Sequence, residues 1–185
     1  FAVIADAARA RYPRRIVLGL RERSKRGETE DVSDALGDDS THYYKMDYHP
    51  YRVFVQAADT DNLALCGWET NNQAGLDEVA SALTAAGVAF TWGDDALIAK
   101  RRVQNLLSFT DPAGNHHEAY WGVVSDFRVL NSPEGVSGFV TGDQGLGHVV
   151  LPAPNFDETS RFFTDILGFG LSDLMKLRFT PDPEE

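Results

Sequence analysis

The chain has 185 residues, a formal net charge of −11 at pH 7 and a hydrophobic content of 43 %. This apolar content is enough for a packed core in one domain or in two small ones. The acidic balance argues against nucleic acid as a partner, because phosphate binding requires a basic surface. We expect neither a membrane span nor a signal peptide, since no apolar stretch has the length or flanks that either requires. The single cysteine, Cys66, excludes an internal disulfide and favours a reducing cytoplasm.

The first part of the chain carries a weak strand pattern. Residues 1–4 are strand-like, and residues 46–47 and 51–56 are predicted as two further strands joined by a His-Pro turn. A basic run lies within residues 9–26. It could form an anionic docking patch, but a solvated face is the better interpretation of such a run.

The middle of the chain predicts a helix between two short strands. Residues 63–68 and 88–92 are the strand candidates, and residues 76–86 are the helix. The helix carries one apolar stripe at i, i+3, i+4 and i+7, formed by Leu76, Val79, Ala80 and Leu83. Asn71 or Asn72 suits its N-cap, and Gly87 suits a left-handed residue after its end.

A hairpin is predicted directly after this unit. Residues 106–110 and 116–121 are strand candidates, and they are separated by Asp-Pro-Ala-Gly-Asn at residues 111–115. Asp-Pro and Gly-Asn are turn formers, which favours a four- or five-residue hairpin loop. The order strand, helix, strand, strand, strand is therefore visible once.

The same order starts again near the end of the chain. Residues 147–151 are predicted as an apolar strand containing His148, and Asn155 is predicted to cap a helix that ends at Gly168. The buried stripe of that helix comprises Thr159, Phe162, Phe163 and Ile166. Recurrence at this spacing indicates tandem modules, with residues 127–145 as the linker between two domains.

Several motifs resemble one family. They are Gly-Phe-Val-Thr-Gly-Asp-Gln-Gly-Leu-Gly-His-Val-Val at residues 138–150, Phe-Phe-Thr-Asp-Ile-Leu-Gly-Phe at 162–169, Leu-Cys-Gly-Trp-Glu at 65–69 and Phe-Thr-Asp-Pro-Ala-Gly-Asn at 109–115. They are similar to type I extradiol dioxygenases of the vicinal oxygen chelate superfamily, especially the 2,3-dihydroxybiphenyl 1,2-dioxygenase group. The resemblance implies a glyoxalase-like α+β fold of tandem βαβββ modules, two complete and a partial third.

The resemblance also implies a domain organisation and a site. Residues 1–126 would form a metal-free N-terminal domain, and residues 146–185 the start of the catalytic domain. His148 would be the first Fe(II) ligand, with a second histidine and a glutamate beyond residue 185. The substrate-binding residues implied are Val150, Met175 and Leu177. The implied activity is insertion of dioxygen into a small catechol, biphenyl-like, polycyclic or steroid-derived, next to its diol, by a cytoplasmic homo-oligomer.

One segment departs from the family pattern. Residues 7–30 do not resemble the family's first helix, and Pro13 would remove a hydrogen-bond donor from such a helix. Two other functions stay open beside the dioxygenase. The chain could be a non-catalytic binding protein of the same superfamily, or an inactive dioxygenase fragment.

Other chemistry-bearing residues are interpreted as structural. His116, His117 and Glu118 have metal-ligand character, but Glu118 is expected to be a vestigial or surface carboxylate, because the opening strands offer no histidine partner. The glycine-rich residues 142–147 precede a strand and not a helix, so they lack the means by which a phosphate loop binds anions. Cys66 is expected to be a buried packing residue.

Overall fold

The computed structural model describes residues 2–6, 15–23, 41–59, 61–129, 135, 138–142 and 145–175. The strands are β1 (Ala2–Asp6), β2 (Arg15–Arg23), β3 (Thr41–Tyr44), β4 (Val53–Ala58), β5 (Asn62–Glu69), β6 (Phe90–Trp92), β7 (Asn105–Thr110), β8 (His116–Trp121) and β9 (Gly170–Met175). The helices are α1 (Gln73–Ala85), α2 (Asp95–Arg101) and α3 (Phe156–Arg161), which continues directly into a π-helical segment (Phe162–Ile166). Within these ranges no helix is long and apolar enough to cross a membrane.

A seven-stranded sheet with the order β3-β4-β2-β5-β8-β7-β6 organises most of the chain. Strands β5 and β8 are parallel, whereas β7 is antiparallel to both β8 and β6. With α1 between β5 and β6, this half of the sheet is a complete βαβββ module. The other half is related to it, because β2 and β4 are parallel and β3 is antiparallel to β4. The halves meet where β2 and β5 pair antiparallel, which confirms the prediction of tandem modules.

The first module differs from its prediction in two places. Residues 1–4 were expected to open it, but β2 takes that position in the sheet, and β1 pairs antiparallel with β9 in a separate two-stranded sheet. Residues 46–47 lie outside a strand, because Asp47 accepts hydrogen bonds from the backbone of His49 and from the side chain of Arg52 and so stabilises a loop. Of residues 7–30, the described part is β2, and Pro13 lies outside the described residues.

Helix α1 forms as its sequence predicts. The side-chain oxygen of Asn72 accepts a hydrogen bond from the backbone N–H of Gly75 at 2.9 Å, which satisfies one free donor of the first turn. Gly87, with φ of 69°, follows the helix in the left-handed conformation that glycine adopts without strain. The buried residues of α1 are Leu76, Val79, Ala80 and Leu83. The predicted apolar stripe is therefore the face that packs on the sheet.

The third module shares its core with the second. Trp68 and Phe109 on the sheet, Leu83 on α1, and Phe163 and Phe169 of the third module belong to one buried cluster. The aromatic rings meet edge to face, with the centroids of Trp68 and Phe169 5.0 Å apart. Each buried phenylalanine side chain contributes about 1.5–3 kcal/mol from burial alone. The helix after Asn155 is thus held by the sheet of the preceding module.

A hydrogen-bonded relay crosses this core. The indole N–H of Trp68 donates to Nδ1 of His117 at 3.0 Å, and Nε2 of His117 lies 3.3 Å from Oδ2 of Asp111. Because an indole can only donate, Nδ1 must accept, so the proton of the neutral imidazole lies on Nε2 and is donated to Asp111. Asp111 accepts two more bonds from Asn115, one from its backbone N–H and one from its side-chain amide.

The pKa values of the relay follow from burial and these bonds. Burial lowers the pKa of His117, and the hydrogen bond with Asp111 opposes this only in part. Burial alone would raise the pKa of Asp111, but the bonds from His117 and Asn115 outweigh it and lower that pKa. The folded protein therefore holds a neutral imidazole against an ionised carboxylate.

We expect His117 to make the fold less stable in mild acid. The pKa of His117 in the folded protein lies below 6.5, its ordinary value. As the pH falls through 6.5, His117 therefore gains a proton in the unfolded chain but not in the folded chain. The free energy of unfolding should then decrease between about pH 7.5 and about pH 5.5. Urea unfolding at several pH values measures this. In the His117→Gln variant, which keeps a donor and an acceptor but does not titrate, the decrease should be smaller, and equal slopes would contradict the assignment.

We also expect the second and third modules to unfold together. The centroid of the Phe163 ring lies 5.5 Å from that of His117 and 6.2 Å from that of Trp68. Phe163→Ala should therefore lower the free energy of unfolding by about 3–5 kcal/mol. Amide exchange in α1 should accelerate in the same variant. The control is Phe139→Ala, because Phe139 is 52 % exposed and its loss should change stability by less than about 0.5 kcal/mol. Unchanged protection of α1 in Phe163→Ala would show that the third module unfolds alone.

Candidate functional site

His148 lies on an extended segment that follows the predicted linker. Its side chain and that of Val150 are exposed, whereas Val149 packs against the shared core and Leu151 is buried. The expected alternation of side chains is therefore present. The expected strand at residues 147–151 is not, because no strand of the described chain pairs with this segment, and a strand requires a hydrogen-bonded neighbour.

The structure describes two of the other three predicted site residues, Val150 and Met175. Val150 is 59 % exposed, and it shares the side of His148 by the alternation of side chains along an extended segment. Met175 is the last residue of β9, opposite Ala2 of β1. Leu177 lies outside the described residues. The structure thus brings together one pair of the four predicted residues.

An iron site needs more donors than this part of the chain supplies. Within the described ranges, no group of three or more histidine, cysteine, aspartate or glutamate side chains is arranged to hold a metal ion. His148 offers one imidazole, whereas a facial iron site uses two histidines and one carboxylate. The described residues alone therefore do not form an iron site.

The motif His116-His117-Glu118 is not a metal site. Consecutive side chains of a strand point to opposite faces of the sheet, so His117 enters the relay on the helix-covered face while Glu118 lies on the other face. Both carboxylate oxygens of Glu118 accept hydrogen bonds from Arg101, at 2.7 and 2.9 Å. Glu118 is 7 % exposed, so the expectation of a surface carboxylate was wrong. Its counter-charge is Arg101 and not a metal.

This second face of the sheet forms a small groove with a free volume of about 20 Å³, lined mainly by apolar side chains such as Phe54, Leu65 and Leu106. The guanidinium of Arg101 lies 4.9 Å from the centre of the Phe54 ring and extends over it towards Glu118. Burial alone would lower the pKa of Arg101, but the bonds to Glu118 raise it. The ion pair occupies the polar end of the groove.

A second buried charge cluster borders the groove. Nε2 of His49 lies 3.1 Å from the carboxylate of Glu69, and Asp47 accepts three hydrogen bonds from the almost fully buried Arg52. Burial alone would lower the pKa of His49, but its hydrogen bonds with Asp47 and Glu69 raise it. The carboxylates and cations pair with one another, which offsets much of the cost of burying these charges, although Nη1 of Arg52 has no hydrogen-bond partner among the described residues.

Sequence reasoning missed these residues for identifiable reasons. Arg101 ends α2, a short helix without a buried residue, so no apolar periodicity reveals it. His49 was interpreted only as part of a turn. The one available signal is Glu118, since a carboxylate within a strand of otherwise buried residues requires a cation nearby. Cys66, by contrast, is fully buried as expected, and burial raises the pKa of its thiol to about 12.

The sequence of the chain is similar to those of known enzymes. No protein-family model matches the chain. It is 46 % identical over 135 residues to an iron-dependent extradiol dioxygenase of Rhodococcus jostii, covering 73 % of this chain and 45 % of that protein. It is 41 % identical over 152 residues to a biphenyl-2,3-diol 1,2-dioxygenase of Paraburkholderia xenovorans, covering 82 % of this chain and 51 % of that protein.

A solved structure agrees with these relatives. The crystal structure of a halotolerant catechol dioxygenase superposes with a TM-score of 0.75 and 25 % identity, over 85 % of this chain and 56 % of that one. The chain spans about half the length of the curated relatives that it matches. Its sequence and fold agree with the resemblance drawn from the motifs. The chain therefore belongs to the type I extradiol dioxygenases of the vicinal oxygen chelate superfamily.

Proposed function

We propose that the whole protein is an extradiol dioxygenase of aromatic-compound degradation. It would insert dioxygen into a catechol next to the diol, and the expected substrates are 2,3-dihydroxybiphenyl-like, polycyclic or steroid catechols. The observation that carries this proposal is the identity of 41–46 % to an iron-dependent extradiol dioxygenase and a biphenyl-2,3-diol 1,2-dioxygenase over most of this chain.

The chain's contribution is the scaffold and the first part of the site. We propose that residues 1–126 form the metal-free domain, that residues 127–145 are the linker, and that the catalytic domain begins at residue 146. This division is supported by the complete module that ends at β8 and by the new helix at α3. A linker is also supported by the exposure of Phe127 and Val140, two described residues of this stretch.

His148 is the proposed first ligand of Fe(II), with the other ligands beyond residue 185. Bound Fe(II) supplies the means for a catechol and dioxygen, held side by side, to exchange electrons. The chain's own residues supply one exposed imidazole and, at Val150, an apolar side chain on the same side. Val149 and Leu151 anchor the segment in the core, so the imidazole is offered from a fixed backbone.

We further propose a homo-oligomeric, cytoplasmic protein. The described part of the sheet ends at β6, and the edge of a sheet favours association. A reducing compartment suits the single buried thiol of Cys66.

The intact mass of the natural polypeptide tests the proposal first. We expect a mass well above 20.4 kDa, the mass of the 185 residues, together with iron-dependent oxygen uptake on addition of 2,3-dihydroxybiphenyl. A mass near that value without oxygen uptake would favour the inactive fragment. A dimer that binds aromatic compounds without consuming oxygen would favour the non-catalytic binding protein.

Replacement of His148 tests the ligand assignment. In the full-length protein, His148→Ala should lose bound iron and lower catechol cleavage by more than about 100-fold, because a missing ligand costs more than a missing supporting group. His116→Ala is the matched control, since His116 is also an exposed histidine. Iron content and the absorbance of the ring-opened product measure both effects. Equal iron content in the two variants would rule out His148 as a ligand.

A further inference from the structure

Two asparagine side chains connect the hairpin turn at residues 111–115 to the segment that follows His148. The side-chain N–H₂ of Asn115 donates to the carbonyl oxygen of Pro152 at 3.0 Å as well as to Asp111. The side-chain N–H₂ of Asn155 donates in the opposite direction, to the carbonyl oxygen of Pro112 at 2.9 Å. The two bonds form a reciprocal pair between the second and third modules, which we call the asparagine clamp.

The chemistry of the two acceptors explains why side chains make this connection. Pro112 and Pro152 have carbonyl oxygens but no backbone N–H, so they cannot exchange the paired bonds of a β-ladder. The amide of asparagine supplies the missing donor, and it has two N–H groups to share. Asn115 uses them for Asp111 and Pro152, and Asn155 uses them for Pro112 and Glu158.

The clamp is anchored in the core on both sides. On one side, Asn115 is held by Asp111, whose carboxylate is fixed by His117 and through it by Trp68. On the other side, the side-chain oxygen of Asn155 accepts a bond from the hydroxyl of Thr159, which is 1 % exposed. Neither asparagine is therefore free to reorient without disturbing a buried partner.

The clamp lies close to His148 along the chain. Pro152 lies four positions after His148, a distance of at most about 14 Å in extended chain, and Leu151 between them is buried. A displacement of the backbone at Pro152 should therefore also displace the imidazole of His148. Ligand sites tolerate displacements of only about 0.5 Å.

We propose that Asn115 and Asn155 are positioning residues for His148, holding the segment that carries the imidazole in register with the preceding domain. This inference rests on the proposed function, because it takes His148 to be an iron ligand. It assigns a role to the Asp-Pro-Ala-Gly-Asn turn beyond closing a hairpin: its last residue attaches the ligand-bearing segment of the next module.

The test compares Asn115→Ala and Asn155→Ala with Asn72→Ala in the full-length protein. Asn72 is the matched control, because its side chain also hydrogen-bonds a backbone group, here by accepting from the N–H of Gly75 at the N-cap of α1, and its loss costs about 1 kcal/mol. Three quantities are measured: iron affinity by chelator competition, kcat and KM for 2,3-dihydroxybiphenyl, and amide exchange across residues 146–153. Urea unfolding verifies that the three variants lose comparable stability.

We expect the clamp variants to bind iron about 10- to 100-fold more weakly and to lose kcat more than KM. Exchange across residues 146–153 should accelerate in them and stay as in the wild type in Asn72→Ala. Asn155→Gln, which keeps the donor, should restore part of the iron affinity.

Two results would overturn the inference in distinguishable ways. If iron binds through His148 but the clamp variants match Asn72→Ala in iron affinity and exchange, the clamp is only structural. If the wild type shows no iron binding that depends on His148, the proposed function itself fails, and the positioning role fails with it. Exchange across residues 146–153 then still decides whether the asparagines hold that segment.

Discussion

The structure depends on a neutral imidazole placed between an indole and a carboxylate in a dry core. Trp68 can only donate, so His117 must accept on one nitrogen and donate from the other, and Asp111 must be ionised to accept. Each group fixes the role of the next, and removing any of them leaves a buried polar atom unsatisfied at a cost of about 1–3 kcal/mol. The strand, the hairpin turn and the aromatic cluster of the third module are all attached to this relay.

The two faces of the seven-stranded sheet differ in what covers them and in the charges that they hold. One face is apolar except for the relay of Trp68, His117 and Asp111, and it is covered by α1 and by the helix of the third module, so it joins the modules. The other face holds the pair of Arg101 and Glu118 in an otherwise apolar groove, and the pair of Arg52 and Asp47 lies beside that groove. Glu118, the carboxylate of the His-His-Glu motif, therefore already has the guanidinium of Arg101 as its counter-charge.

Local features of the fold could be predicted from the sequence, and pairings over long distances could not. Helix α1 was predictable because Leu76 and Leu83 repeat at the helical period between a capping asparagine and a glycine. The partner of β1 was not, since a strand pattern states which face is buried but not which distant strand lies beside it. In β8 both faces are buried, so no alternation separated His117 from Glu118. His148 was singled out by family motifs, since its own environment, an exposed position on an extended segment, carries no metal-binding signal.

The burial of Cys66 makes the core observable from outside. Burial raises the pKa of the Cys66 thiol to about 12, so the thiol of the folded protein stays protonated at neutral pH, and the folded core excludes solvent from it altogether. An alkylating reagent can therefore modify the native protein only after the sheet and its covering helices have separated. The rate at which Cys66 is alkylated therefore reports how often the shared core opens, and the measurement needs no engineered cysteine.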